Sequence, residues 1–103
     1  APTDAGVLSN LGGLYNNLGL LCERQQQAEA AERNFRQAVR FQREALAAAP
    51  GVVRYRELLA NHYANYEKCL RGQSKTQAAE PVVRERDSLL AEKSAPDVGA
   101  RRN

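Results

Sequence analysis

The chain has 103 residues and a mass of 11.4 kDa, with 43% apolar and 26% charged residues. That length holds one ordinary domain or a piece of a larger protein, and excludes a Rossmann enzyme, a kinase domain or a TIM barrel. The composition is that of a folded chain, and its formal charge of +3 points only weakly to an anionic partner.

Ala, Leu, Arg, Glu and Gln dominate, all strong helix formers. The only prolines are Pro2, Pro50, Pro81 and Pro96. An all-α fold is expected. No apolar run approaches the roughly 18 residues of a membrane span, and no segment reads as a signal peptide. The chain starts at Ala1 without a methionine, which fits a segment of a longer protein. Cys22 and Cys69 fall inside helical patterns among apolar neighbours. Two buried reduced thiols are expected rather than a disulfide, in a reducing, cytoplasmic setting.

The first helix is predicted from about Asp4 to Arg24. Leu8, Leu11, Tyr15, Leu18 and Cys22 recur at three- and four-residue steps, and Val7, Leu14 and Leu21 widen them into a broad stripe expected to be buried. Gly12, Gly13 and Gly19 each cost about 1 kcal/mol in a helix interior, so a neighbouring backbone should come close. Gln25–Gln27 break the pattern. The second helix should span Ala28 to Ala49, with Ala31, Phe35, Ala38, Val39, Ala45 and Leu46 inside, and end at Pro50–Gly51.

The third helix is predicted from Val53 to Leu70. Its stripe is Tyr55, Leu59, Tyr63, Tyr66 and Leu70, widened by Leu58, His62 and Cys69. Gly72 should close it. Ser74 with Gln77 resembles a capping box for the fourth helix, which should reach about Lys93. Ala79, Val82, Val83, Leu89 and Leu90 form its apolar side. Pro81 fits only if that helix starts near Gln77; otherwise a kink is expected. Residues 1–50 thus read as one hairpin, 51–93 as a second, and 94–103 as a flexible tail.

A shift of 48 residues lays one hairpin on the other. Tyr15 falls on Tyr63, Asn17 on Asn65, Leu18 on Tyr66, Cys22 on Leu70 and Gln25 on Gln73. Ala30-Ala31-Glu32 falls on Ala78-Ala79-Glu80, and Phe35 on Val83. These matches lie at core and turn positions, as in an internal repeat.

Tyr15, Leu18-Gly19, Cys22, Ala31, Phe35 and Ala38 stand at the spacings of the tetratricopeptide repeat, a helical hairpin of about 34 residues that the first unit resembles. In the second unit Tyr63, Tyr66, Leu70, Ala79 and Val83 hold the same slots. Glu67 there replaces the glycine and Arg86 the last alanine, as in a degenerate or terminal unit; an arginine at that place suits a capping helix. The longer period implies hairpins about two turns taller than usual. The resemblance implies a right-handed α-α superhelix of two elongated hairpins, four helices in all. The run Tyr15-Asn16-Asn17-Leu18-Gly19-Leu20-Leu21 also looks like bacterial arrays that often follow a serine/threonine kinase domain. No kinase motif lies in this chain.

In such arrays the first helices line a groove that holds a peptide or partner protein, and an asparagine two residues after the aromatic bonds the peptide backbone. That implies partner contacts for Asn17 and Asn65, beside Asn16 and Asn61. An amide donates and accepts at once, which suits a peptide group. Leu20, Arg24, Lys68 and Arg71 share that predicted face; Lys68 and Arg71 could receive a carboxylate. Arg33, Arg36, Arg40 and Arg43 form a stripe, but Glu29–Arg33 and Glu32–Arg36 are favourable i,i+4 pairs and no aromatics interleave, so nucleic-acid binding is not expected. His62 is the only histidine, and no ligand spacing links it to Cys22 and Cys69. No catalytic, metal or cofactor site is expected, and the segment is not read as an enzyme. The leading expectation is a protein-interaction module. The alternative is a scaffold or self-association segment, with a homodimer through an open hairpin face.

Overall fold

The computed structural model describes residues 4–94. They form four helices in chain order: α1 (Ala5–Arg24), α2 (Ala28–Ala48), α3 (Val53–Gly72) and α4 (Thr76–Ser94). Each helix packs on the next, and α1 also approaches α3; among the described residues no Cα of α4 comes within 8 Å of α1 or α2. Of the tail expected over 94–103, Ser94 is instead the last residue of α4, and the rest lies outside the described residues.

Local chemistry sets the helix ends. Asp4 caps α1, its Oδ1 accepting from the Val7 amide at 3.0 Å. Such a cap satisfies one of the amides that a helix start leaves unpaired. α2 ends at a tight turn in which the Val52 amide donates to the Ala49 carbonyl at 3.1 Å. Pro50 stands second in that turn, where its fixed φ is an advantage.

The turns inside the two hairpins are copies of one another. The Gln27 amide reaches the Cys22 carbonyl and the Lys75 amide reaches the Leu70 carbonyl, both at 2.9 Å. The Gln26 amide reaches Glu23 and the Ser74 amide reaches Arg71, both at 3.0 Å. Each pair of bonds is a Schellman closure. The residue that reverses the chain is not glycine in either case: Gln26 has φ 59° and Ser74 φ 61°. Two expectations fail here. Gly72 is the last residue of α3 and does not supply the left-handed turn. Ser74 takes the left-handed position itself, so it cannot act as the N-cap of a capping box. The helix that follows starts at Thr76, which leaves Pro81 in the second turn of α4. There it deprives the exposed Gln77 carbonyl of its helical partner.

The main core joins Val39 of α2, Leu59, Tyr63 and Leu70 of α3, and Ala79, Val82 and Leu89 of α4. A second cluster holds Ala31, Phe35 and Cys69, with Cys22 and Tyr66 beside it. The expected inner faces of α2 and α3 are therefore the buried ones. On α4, Leu90 is exposed instead.

The first helix departs most from expectation. Its buried residues are Leu8, Ser9, Gly12, Asn16 and Gly19. A β-carbon on Gly19 would lie 2.5 Å from Phe35 Cε1, and one on Gly12 would lie 2.8 Å from Gln42 Oε1 and 3.3 Å from the Ala38 carbonyl. These two glycines let α2 press against the α1 backbone. Gly13 has nothing within 4 Å and serves no such purpose. Beside Gly12, Ser9 and the fully buried Gln42 exchange hydrogen bonds at 3.1 and 3.3 Å. With this small and polar face turned inward, Val7, Leu14, Leu18 and Leu21 point outward, 37–53% exposed. Tyr15 sits at the edge, stacked on Phe41 with centroids 5.5 Å apart.

The two departures from the repeat pattern meet each other. Arg86 Nη1 lies 2.6 Å from Glu67 Oε1 across the α3–α4 contact. Glu67 occupies the place of Gly19 and Arg86 the place of Ala38 in the shifted chain. Arg86 therefore works within its own hairpin rather than covering an open end. Glu32 joins the hairpins: it takes Lys75 Nζ at 2.6 Å, Gln73 Nε2 at 3.0 Å and Arg36 at 2.6 Å. The Lys75 hydrogen bond, ahead of the opposing cost of burial, holds its carboxyl below the usual range.

Candidate functional site

The face expected to bind a partner is built where α1 and α3 lie side by side. Asn65 Nδ2 donates to Asn16 Oδ1 at 3.0 Å, joining the two helices. It also lies 3.5 Å from Asn61 Oδ1. Asn16 is buried, so it holds the helices together and does not face a partner. Asn65 is half-buried and its donor is engaged in this bond. The pair forms the floor between the helices.

The other expected residues rise on either side of that floor. Asn17, Leu20 and Arg24 are exposed along α1, and Asn61, Lys68 and Arg71 along α3. Helical spacing sets each trio on one side of its helix. Arg71 Nε is held by Glu67 at 2.7 Å. Among the described residues, Arg24 and Lys68 have no ion pair within 4 Å, and the Asn17 side chain makes no hydrogen bond. The surface offers one unengaged amide, two unengaged cations and an apolar side chain.

The arginine stripe of α2 is only partly paired as expected. Arg36 meets Glu32 and also donates to the Tyr66 hydroxyl at 3.3 Å. Arg40 approaches Glu44 at 3.6 Å. No Glu29–Arg33 pair forms among the described residues. Arg43 lines a cavity of about 350 Å³ where α2, α3 and α4 meet, with Leu46, Arg56, Tyr63, Glu85 and Leu89.

The candidate reactive groups are packed away. Burial pushes the Cys69 thiol up to about 11, far from a reactive thiolate. Cys22 is half-buried, and both cysteines are free. His62 is 2% exposed, and neither ring nitrogen has a hydrogen-bond partner among the described residues. Burial alone lowers its pKa to about 4, so the ring is neutral near pH 7. Among the described residues no group of three or more His, Cys, Asp or Glu could hold a metal ion. No described helix is long and apolar enough to cross a membrane.

Of the α1 residues expected in the core, Leu8 is buried, whereas Val7, Leu14, Leu18 and Leu21 are exposed, and the buried Ser9–Gln42 pair was not expected. The close approach expected from the glycines of α1 is found at Gly12 and Gly19 and not at Gly13; Gly12 and Gly19, seven residues apart, mark the face on which α2 packs. No protein-family model, curated protein or solved structure matches the chain.

Proposed function

We propose that this chain is a protein-interaction module of the tetratricopeptide kind, two elongated hairpins stacked in a right-handed superhelix. Its groove takes an extended peptide or partner helix that carries acidic side chains. Its place is within a larger cytoplasmic protein, of which a bacterial serine/threonine kinase is one example. One observation carries this reading: the Asn16–Asn65 bond sets α1 and α3 side by side with Asn17, Arg24 and Lys68 exposed around it. Asn17 suits a peptide group, because its amide donates and accepts together. Arg24 and Lys68 suit a carboxylate through charge-assisted bonds. The repeated left-handed turns and the shared 48-residue period support two copies of one unit.

A displayed random-peptide library panned against the chain tests the reading. Enriched peptides should be rich in Asp and Glu. Asn17→Ala with Lys68→Glu should weaken them at least about tenfold while leaving thermal unfolding unchanged. Equal binding to this variant, or no enrichment at all, sinks the groove assignment.

A further inference from the structure

We propose that the groove walled by α2 and α4 and floored by α3 binds an extended peptide segment with acidic side chains along one edge and apolar ones along the other. Two cavities open end to end along this groove. One of about 350 Å³ reaches Leu46, Leu59 and Leu89, and one of about 260 Å³ reaches Val39, Tyr66 and Val82. Arg43, Tyr63 and Glu85 border both. The α3 residues of the floor, Arg56, Leu59, Tyr63 and Tyr66, lie on the side of that helix opposite Asn61, Asn65 and Lys68. The surface is therefore separate from the α1–α3 groove.

The two walls carry opposite charge. Among the described residues, α2 lines the groove with Arg36, Arg40 and Arg43 and no acid, and α4 lines it with Glu85 and Glu92 and no base. Arg36 and Arg40 meet Glu32 and Glu44, yet their side chains stay 58% and 65% exposed. Arg43 has no ion pair within 4 Å among the described residues. At the end of the floor Arg56 adds a further positive charge, its buried Nε–H without an acceptor among the described residues. A segment entering this groove gains charge-assisted bonds by turning carboxylates toward α2 and meets repulsion by turning them toward α4.

Spacing selects the extended form. Arg36, Arg40 and Arg43 follow at steps of four and three on one face of α2 and cover about 10 Å of its length. Alternate side chains of an extended chain point the same way, about 7 Å apart. Acids at its first, third and fifth residues then face the three arginines, and the second and fourth residues turn into the two cavities. From Arg56 to Tyr66 the floor runs about 15 Å, the length of about five extended residues. A further hairpin stacked on α4 would leave the groove open. By the 48-residue shift it would meet α4 through Arg84 and Asp87, the equivalents of Arg36 and Val39, and neither of these lines the groove.

The probe is a fluorophore-tagged peptide, Glu-Leu-Glu-Leu-Glu, with both ends blocked. Fluorescence anisotropy with the full chain should give a dissociation constant of about 10–100 µM. Glu-Glu-Glu-Leu-Leu, of the same composition and charge, should bind at least about tenfold more weakly. A peptide this short holds no helix, so its residue order reads the extended form. Arg40→Glu with Arg43→Glu, both exposed, should fold normally and lose at least about tenfold in affinity. Arg33→Glu with Arg84→Glu makes the same charge change at exposed positions outside the groove and should stay within about threefold of wild type. Asn17→Ala with Lys68→Glu should do the same. No binding, equal binding of the two peptides, or indifference to Arg40→Glu with Arg43→Glu overturns the proposal. So does an equal loss in the Arg33 and Arg84 variant, which would mean bulk charge alone. A loss in the Asn17 and Lys68 variant overturns it too, by placing the peptide in the α1–α3 groove. Failure of the α1–α3 groove to capture any peptide leaves all of these expected outcomes unchanged.

Discussion

Gly13 and Gly19 lie in the same helix, yet adding a methyl group to each should move stability in opposite directions. At Gly19 the new β-carbon would stand 2.5, 2.6 and 2.9 Å from Phe35 Cε1, Cδ1 and Cζ. Carbon atoms pack best at about 3.5–4.0 Å, so the overlap is about 1 Å. Phe35 is fully buried and cannot swing aside. Overpacking of this kind costs about 1–3 kcal/mol or more, and the gain in helix propensity returns only about 1 kcal/mol. The net expectation for Gly19→Ala is a loss of up to about 2 kcal/mol. At Gly13 nothing lies within 4 Å, so Gly13→Ala should gain about 0.5–1 kcal/mol. Urea unfolding followed by far-ultraviolet circular dichroism reads both. Adding Phe35→Leu to Gly19→Ala should recover part of the loss by vacating the ring's volume. Equal stabilisation by the two alanines would refute the close α1–α2 approach and the inward face assigned to α1.

Three further expectations rest on other parts of the fold. His62 has a folded pKa of about 4 against 6.5 for the free side chain, so the unfolded chain binds more protons between those values. Its contribution is whole above about pH 6.5 and falls by about 3 kcal/mol as the pH drops to about 4. The stability difference between wild type and His62→Leu, measured across that window, should follow this curve; a flat difference shows that the ring is not desolvated. Gln26→Gly and Ser74→Gly should each stabilise by about 0.5–1 kcal/mol, since only glycine takes a left-handed φ without strain. A lower melting temperature for both would contradict the turn geometry. Glu67 and Arg86, each at least three-quarters buried at the side chain, should show a coupling of about 1 kcal/mol in a double-mutant cycle. Additive losses would mean that the 2.6 Å pair is not formed in solution.

The sequence by itself determined the four helices, their breaks and the 48-residue repeat. These follow from local causes: helix propensity, periodicity, Pro50–Gly51 and the matched pairs from Tyr15/Tyr63 to Gln25/Gln73. It also determined the inner faces of α2 and α3, because each carries one dominant apolar side. On α1 local pattern was not enough. That helix carries a leucine stripe and a glycine face, and hydropathy favours the leucines. The tertiary structure turned the glycine face inward, since Phe35 and Gln42 need the space that only Gly19 and Gly12 leave. The same packing gave the asparagines different tasks. Asn17 and Asn65 are equivalent along the chain, yet Asn65 is tied to Asn16 while Asn17 stays open. The equivalence is a matter of spacing, and the difference arises because α3 has α1 as a neighbour on that side. Which side of a helix is buried depends on what lies against it, and one-dimensional periodicity does not contain that neighbour.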